Sequence, residues 1–432
     1  MKCGYAIKDI TAPIGCCLSG YPQERITEGV ADPIMVRAAA FQEDGLAVIL
    51  YYDLVGIKQA LAQSIRERVA ANLGCEPKDI FVCCTHTHYA PNVSNQRLPI
   101  SETYVQWLHE ASTLVAQEAV ADLTEAKVSY ARSELPGISF TRRYRMKDGS
   151  CKTNPGRRNP NIAGPLTPAD EVIQLLRITR EGADEILLVN FQVHADVMRG
   201  LKMSADYPGV VCNTLELALP GTKCVYINGT AGDLNHVDVN CPEWDENGGL
   251  SHVQHMGRTI AGKILSMYTK ARPVSCGKVR TIEQCVPVKV KRPTEEQIEA
   301  AKAYIRRYEA GEITDPAERT PTIVYEAYRT IDVTKVADFR DLFISGFSIG
   351  DICFAGFPGE AFCDVGRQIR ETSPFAVQYL LGITNGYEGY FPTEDAYGVD
   401  GYERRTSPFQ PGVAETLCAA GKDMVAELYK EY

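Results

Sequence analysis

Histidine is scarce in this chain, seven residues in 432, and two of the seven stand one residue apart in Thr85-His86-Thr87-His88. A neutral imidazole ligates metals and exchanges protons near pH 7, so the pair suits metal binding or acid–base chemistry. The five residues before it, Ile80–Cys84, read as a buried strand. If that strand persists through the motif, its period of two puts both imidazoles on one face. A hydrogen-bonded structural pair would satisfy the same pattern. His194 also follows a strong apolar run, Ile186–Val193, as a core or rim histidine would too. Glu360, in Phe357-Pro358-Gly359-Glu360, ends another apolar strand and precedes a helix-like segment; the helix dipole alone would favour a carboxylate there, by ~0.3–1 kcal/mol. His236 follows a Gly-containing turn whose spacing is neither a P-loop nor G-x-G-x-x-G. His109, His252 and His255 fall on predicted helices and are assigned to solvated or packing faces.

These residues need a frame. Leu46–Asp53 is a continuous apolar run of the buried-strand kind. Lys58–Leu73 follows as an amphipathic helix closed by Gly74, and Ile80–Cys84 returns as a strand. Ser101 is the expected N-cap of a helix running to about Leu123. Further strands are expected at Val128–Ala131, Val172–Ile178, Ile186–Val193, Cys224–Asn228, Val279–Val290, Leu342–Ile349, Ile352–Phe357 and Val377–Ile383. Leu250–Tyr268, Glu295–Tyr308 and Val413–Tyr429 read as helices. Gly350-Asp351 between two apolar runs predicts a two-residue hairpin, so the sheet should be mixed. The expected fold class is α/β: one layered catalytic domain, residues 1–432, with mixed sheets flanked by helices. Met146–Asp170, with four prolines and three glycines, reads as a long functional loop. The stretch Asn385-Gly386-Tyr387-Glu388-Gly389-Tyr390 reads as a rigid loop near a site.

Composition narrows the classes. Lys+Arg 45 against Asp+Glu 55 gives a net charge of −10, which argues against nucleic acid or an anionic membrane as a general partner. The longest apolar stretch, Leu46 to Ile57, is too short to span a bilayer and carries Asp53. The N-terminus lacks the apolar core of a secretory signal, so a cytoplasmic location is expected. Fifteen cysteines, an odd number with no C-x-x-C, fit neither a disulfide framework nor a zinc knuckle and are expected to be reduced, buried non-ligands.

The separate pieces converge in order. Asp9-Ile10-Thr11, Gly20-Tyr21, Thr85-His86-Thr87-His88, Arg142-Arg143, Asn190-Phe191-Gln192-Val193-His194, Ser204-Ala205-Asp206-Tyr207-Pro208-Gly209, Ala231-Gly232-Asp233, Pro358-Gly359-Glu360 and Gly401-Tyr402-Glu403 together resemble the catalytic domain of neutral/alkaline ceramidases, across nearly the whole chain. The resemblance implies a zinc-dependent hydrolase that cleaves the amide of ceramide or another N-acyl compound with an activated water. Zn²⁺ would be held by His86, His194, Glu360 and Tyr402. His88 and Arg142 would be catalytic, His88 in acid–base or oxyanion work and Arg142 near the substrate head group; Arg143 would bind substrate. Many family members add an immunoglobulin-like C-terminal domain, expected to be absent from residues 1–432.

Three departures bear on substrate. Where ceramidases continue Thr-His-Thr-His with Ser-Gly-Pro-Gly-Gly, this chain has Tyr89-Ala90-Pro91-Asn92. Asn235 replaces a serine sometimes regarded as catalytic, which excludes a serine nucleophile at that position. Arg404-Arg405 follow Tyr402-Glu403 where small residues are usual. If they face the site with Arg142-Arg143 and Arg157-Arg158, they would bind an anionic group through paired hydrogen bonds. The alternative reading is therefore a zinc hydrolase of a small polar amide, ester or lactone derived from a sugar or cyclitol. A metal-stabilised binding protein without catalysis is a third. The expected partner is a small-molecule or lipid substrate.

Overall fold

In the computed structural model, which describes residues 1–430, two β-sheets lie face to face with helices on both outer surfaces. The first sheet takes β1 (Lys2–Asp9), β2 (Met35–Gln42), β3 (Leu46–Tyr52), β4 (Ile80–Cys84), β5 (Thr124–Glu134), β6 (Val172–Arg180), β7 (Ala183–Phe191) and β8 (Thr222–Asn228). Their spatial order is β8-β7-β6-β5-β1-β2-β3-β4, with Arg272–Pro273 added beside β5. The second sheet is β9 (Val279–Lys289), β10 (Phe339–Ile349), β11 (Ile352–Gly356) and β12 (Val377–Leu381), in that order. Only β3–β4, β7–β8 and β11–β12 pair parallel in these two sheets. The mixed α/β expectation holds.

Alternation within single strands builds the layers. Along β3, Ala47, Ile49 and Tyr51 face the second sheet, where Phe347, Phe354 and Tyr379 meet them. Val48, Leu50 and Tyr52 face the helices instead. Both faces are covered, so the strand reads as an unbroken apolar run. The outer surface of the first sheet carries α1 (Gln59–Leu73), α2 (Glu102–Ala121), α3 (Asp206–Ala218) and α4 (Gly249–Tyr268). After α5 (Glu295–Glu309) and α6 (Pro321–Asp332) come α7 (Cys363–Thr372), α8 (Tyr402–Thr406) and α9 (Val413–Lys430). Of these, α7 and α9 cover the second sheet, with Ile369, Leu417 and Met424 against Leu342 and Ile344.

Local signals act as their chemistry requires. Gly74 closes α1 at φ 70°, Ser101 accepts a hydrogen bond from the Tyr104 amide to start α2, and Gly350 turns the β10–β11 hairpin at φ 58°. Other expectations need correction. Met146–Asp170 is not one long loop: Cys151–Thr153 and Ile162–Pro165 flank Arg143–Met146 in a three-stranded sheet. α6 and α3 were not expected from the sequence. The segment bearing α5 and α6 leaves β9 and re-enters β10 at paired residues, Lys289 opposite Phe339, so this helical hairpin is an excursion from adjacent strands.

β4 lies at one end of the first sheet and β8 at the other, yet the sheet curls until the ends meet. Asn228, the last residue of β8, joins them: its Nδ2 donates to the Thr85 carbonyl beyond β4 and to the Val193 carbonyl beyond β7, 3.1 Å each. No helix among the described residues is long and apolar enough to cross a membrane. All fifteen cysteines are free thiols.

Candidate metal centre

The site forms where the carboxyl ends of β4, β7 and β11 converge, the usual position of a ligand crevice in α/β sheets. β4 stops at Cys84, so the pleat does not carry through the His-x-His motif. His86 instead sits at φ 71°, a left-handed conformation that costs of order 1–3 kcal/mol in a non-glycine residue. That turn, and not strand alternation, brings the imidazoles together: His86 Nε2 lies 3.4 Å from His88 Nε2. The His194 ring is 4.7 Å from that of His86, centroid to centroid, and nearly perpendicular to it. All three histidines are buried, and together they are a group that could hold a metal ion.

Backbone carbonyls orient two of the rings. His86 Nδ1 is 2.6 Å from the Val55 carbonyl and His194 Nδ1 is 3.0 Å from that of Ala231. With Nδ1 donating, each Nε2 turns its lone pair inward, as in metal-ligating histidines. His88 differs, because its buried Nδ1 has no hydrogen-bond partner. It packs edge-on to Tyr21 at 5.2 Å, and the backbone at Gly20 lies so close that a Cβ there would stand 2.5 Å from His88 Cγ.

Glu360 completes the cluster. α7 begins only at Cys363, and the Glu360 carboxylate is directed at the histidines: Oε2 is 3.1 Å from His194 Nε2 and 3.4 Å from His86 Nε2. Oε1 accepts a hydrogen bond from the Tyr387 hydroxyl at 3.1 Å. Oε2 is buried without a hydrogen bond of its own, an acceptor aimed at the centre of the cluster. Burial would raise the Glu360 pKa, but the adjacent His86 and His194 hold it well below the usual carboxylate range. Burial lowers all three imidazoles; the Glu360 charge outweighs it at His86, whose pKa rises. His88 stays far below its ordinary value, with the charge of His86 adding to burial. His194 is lowered by burial and by Arg142.

Arg142 lies with its Nη1 3.4 Å from His194 Nε2. Its Nη2 donates to the Gly232 carbonyl at 2.5 Å, and its Nε is 2.7 Å from Glu403 Oε1. Tyr390 and Tyr402 flank the guanidinium, their ring centroids 5.1 and 5.8 Å away. Tyr402 is half-buried, and its hydroxyl is held far above its ordinary pKa by burial and then by Tyr325 and Glu360. Burial, and then the Glu360 charge, also raise the Tyr325 pKa on α6.

The remaining expected residues lie elsewhere. Arg143 is buried, its guanidinium 5.0 Å from the Phe362 ring and 3.9 Å from Asp395. Arg405 is held by Asp400 through two hydrogen bonds of 2.6 and 2.7 Å and pairs with Glu326. Arg404 lies 3.9 Å from Asp400. Neither has a cluster residue as partner. Arg157 donates to the Asp245 carbonyl and Arg158 pairs with Glu243, so the arginine pairs do not gather in one pocket. Asn235 bonds Asn154 at 2.7 Å. His236 lies 3.2 Å from Asp196.

Sequence reasoning missed two supports, Asn228 and Tyr387. Tyr387 lay within the noted aromatic–glycine stretch, but no spacing rule ties it to Glu360. Asp206 is another support, accepting the Val197 and Met198 amides at 2.9 Å each to fix the loop after His194; burial pushes its pKa up to about 6.

Among solved structures, the chain shares its fold with neutral ceramidase from Pseudomonas aeruginosa: TM-score 0.76 at 18% identity, over 100% of this chain and 74% of that one. A ceramidase complexed with C2 matches at TM-score 0.75 and 17% identity, over 100% and 75% of the two chains. No protein-family model and no curated protein sequence matches. The chain thus has the neutral ceramidase fold, with a buried histidine cluster able to hold a metal at the carboxyl ends of its strands.

Proposed function

We propose that this chain is a zinc-dependent hydrolase that cleaves an amide bond in a ceramide-like or other N-acyl substrate. The observation that carries the reading is the convergence of His86 and His194, both with Nδ1 on a backbone carbonyl, upon the hydrogen-bond-free Oε2 of Glu360. Two imidazoles and a carboxylate suit Zn²⁺, and Tyr402 is the fourth ligand in this reading. When bound there, zinc would polarise the scissile carbonyl and lower the pKa of the attacking water.

The protein's own groups supply the rest. His88 is neutral at pH 7, because burial and His86 depress its pKa. Its Nε2 therefore accepts a proton from the attacking water as the C–O bond forms. The imidazolium then gives that proton to the leaving nitrogen as the C–N bond breaks, releasing carboxylic acid and amine. Arg142, fixed by Gly232 and Glu403, supplies a preorganised positive charge for the developing oxyanion. The three-dimensional likeness to neutral ceramidase supports the amide class.

A small polar substrate is the second reading. It is favoured by Arg25, which donates to the His88 carbonyl at 2.6 Å and stacks 4.4 Å from Tyr21, a cationic neighbour ill-suited to alkyl chains. Assays of zinc-loaded protein on N-acyl-sphingosine and on water-soluble amides separate the two. His88→Ala should keep its zinc and lose about 10²–10⁴-fold in kcat; loss of metal in that variant would make His88 a ligand and sink the assignment of roles.

A further inference from the structure

A cavity of about 290 Å³ lies between the α5–α6 hairpin and α8. None of its lining residues belongs to the cluster described above. Three cations line it, Lys291, Arg329 and Arg405, against one carboxylate, Glu326, which leaves an excess of two positive charges. Arg405 is engaged by Asp400 and Glu326. The other two are not so neutralised. Among the described residues the Lys291 ammonium has no hydrogen-bond or ion-pair partner, and Arg329 makes a single bond, from Nε to the Thr406 carbonyl at 3.2 Å.

The chain holds Lys291 in place by its backbone, its amide donating to the Pro408 carbonyl at 2.7 Å. Burial lowers the Lys291 pKa; Glu326 opposes that, and Arg404, Arg329 and Arg405 add to it. An ammonium without a direct ion pair, kept among guanidinium groups in a half-buried cavity, is costly unless an anion shares it. Gln297, Tyr304 and Thr330 also line the cavity, and its apolar part is formed by Ala301 from α5 with Ile323 and Ala327 from α6. The volume sits at the lower edge of the ~300–1,000 Å³ usual for small-molecule sites.

We propose that this cavity binds a small organic acid, its carboxylate on Lys291 and Arg329 and its short apolar body against Ala301, Ile323 and Ala327. The site is separate from the histidine cluster and does not depend on the hydrolase reading.

Calorimetric titration of the full chain with octanoate, octanol and inorganic phosphate tests it. Octanoate should bind at one site, octanol and phosphate at least tenfold more weakly, and Lys291→Gln should weaken octanoate roughly tenfold or more, the loss expected for a charge-assisted hydrogen bond. Ala301→Leu, which fills the cavity from α5, should abolish binding and serves in place of Lys291→Gln if that variant does not fold. Octanoate binding should persist in Glu360→Gln, which separates this cavity from the metal centre. Equal affinity for octanol or for phosphate, unchanged octanoate affinity in Lys291→Gln, or loss of binding in Glu360→Gln would each overturn the proposal.

Discussion

The histidine cluster and the arginine-bearing layer around α8 are adjacent in the fold and opposite in construction. In the cluster, His86 and His194 each have the second ring nitrogen on a backbone carbonyl, Glu360 has one oxygen on Tyr387, and Arg142 is braced by Gly232 and Glu403. Around α8, Arg405 is matched by Asp400 and Glu326, on side chains more than a third exposed. Surface pairs of that kind contribute ~0–1 kcal/mol. Charge density therefore does not mark the candidate metal site here. Buried side chains with one atom fixed and another left without a bond do.

The largest effect is expected from Arg142→Lys, which keeps the charge but cannot hold Gly232, Glu403 and the site together; kcat should fall by about 10²–10³ with the metal retained. Wild-type turnover in that variant would remove Arg142 from the chemistry. Tyr387→Phe should come next, weakening metal affinity by roughly 10–100-fold as Glu360 loses its support, measurable by competition with a chelator. The smallest effect belongs to the double change Arg404→Ala with Arg405→Ala: kcat/KM should alter by less than about twofold, since surface pairs contribute little. A tenfold fall in kcat/KM at unchanged thermal stability would return these arginines to the substrate and favour a polar one.

Much of the frame was legible because it rests on local rules. The β3–α1–β4 unit, the Ser101 cap and the Gly350-Asp351 hairpin follow from periodicity and caps that act within a few residues. α3 was hidden because Asp206-Tyr207-Pro208-Gly209 reads as a turn, although proline is tolerated in a first helical turn. The strands within Met146–Asp170 are short and stabilised by pairing with Arg143–Met146, not by their own composition. The histidines, Glu360 and Arg142 could be named from the motifs, and their meeting point could not. It depends on the curl of the first sheet stapled by Asn228 and on the left-handed backbone of His86. Tyr387 reaches Glu360 across 27 residues of sequence through tertiary packing alone.

Glu360 and the histidines are expected to hold one metal ion between them. Elemental analysis of zinc-loaded, desalted wild-type protein and Glu360→Gln addresses it directly. About one zinc per chain in the wild type, and less than about a tenth of that in Glu360→Gln with thermal unfolding still cooperative, is the predicted result. A wild-type protein that retains no zinc, or a Glu360→Gln variant that retains a full equivalent, would contradict it.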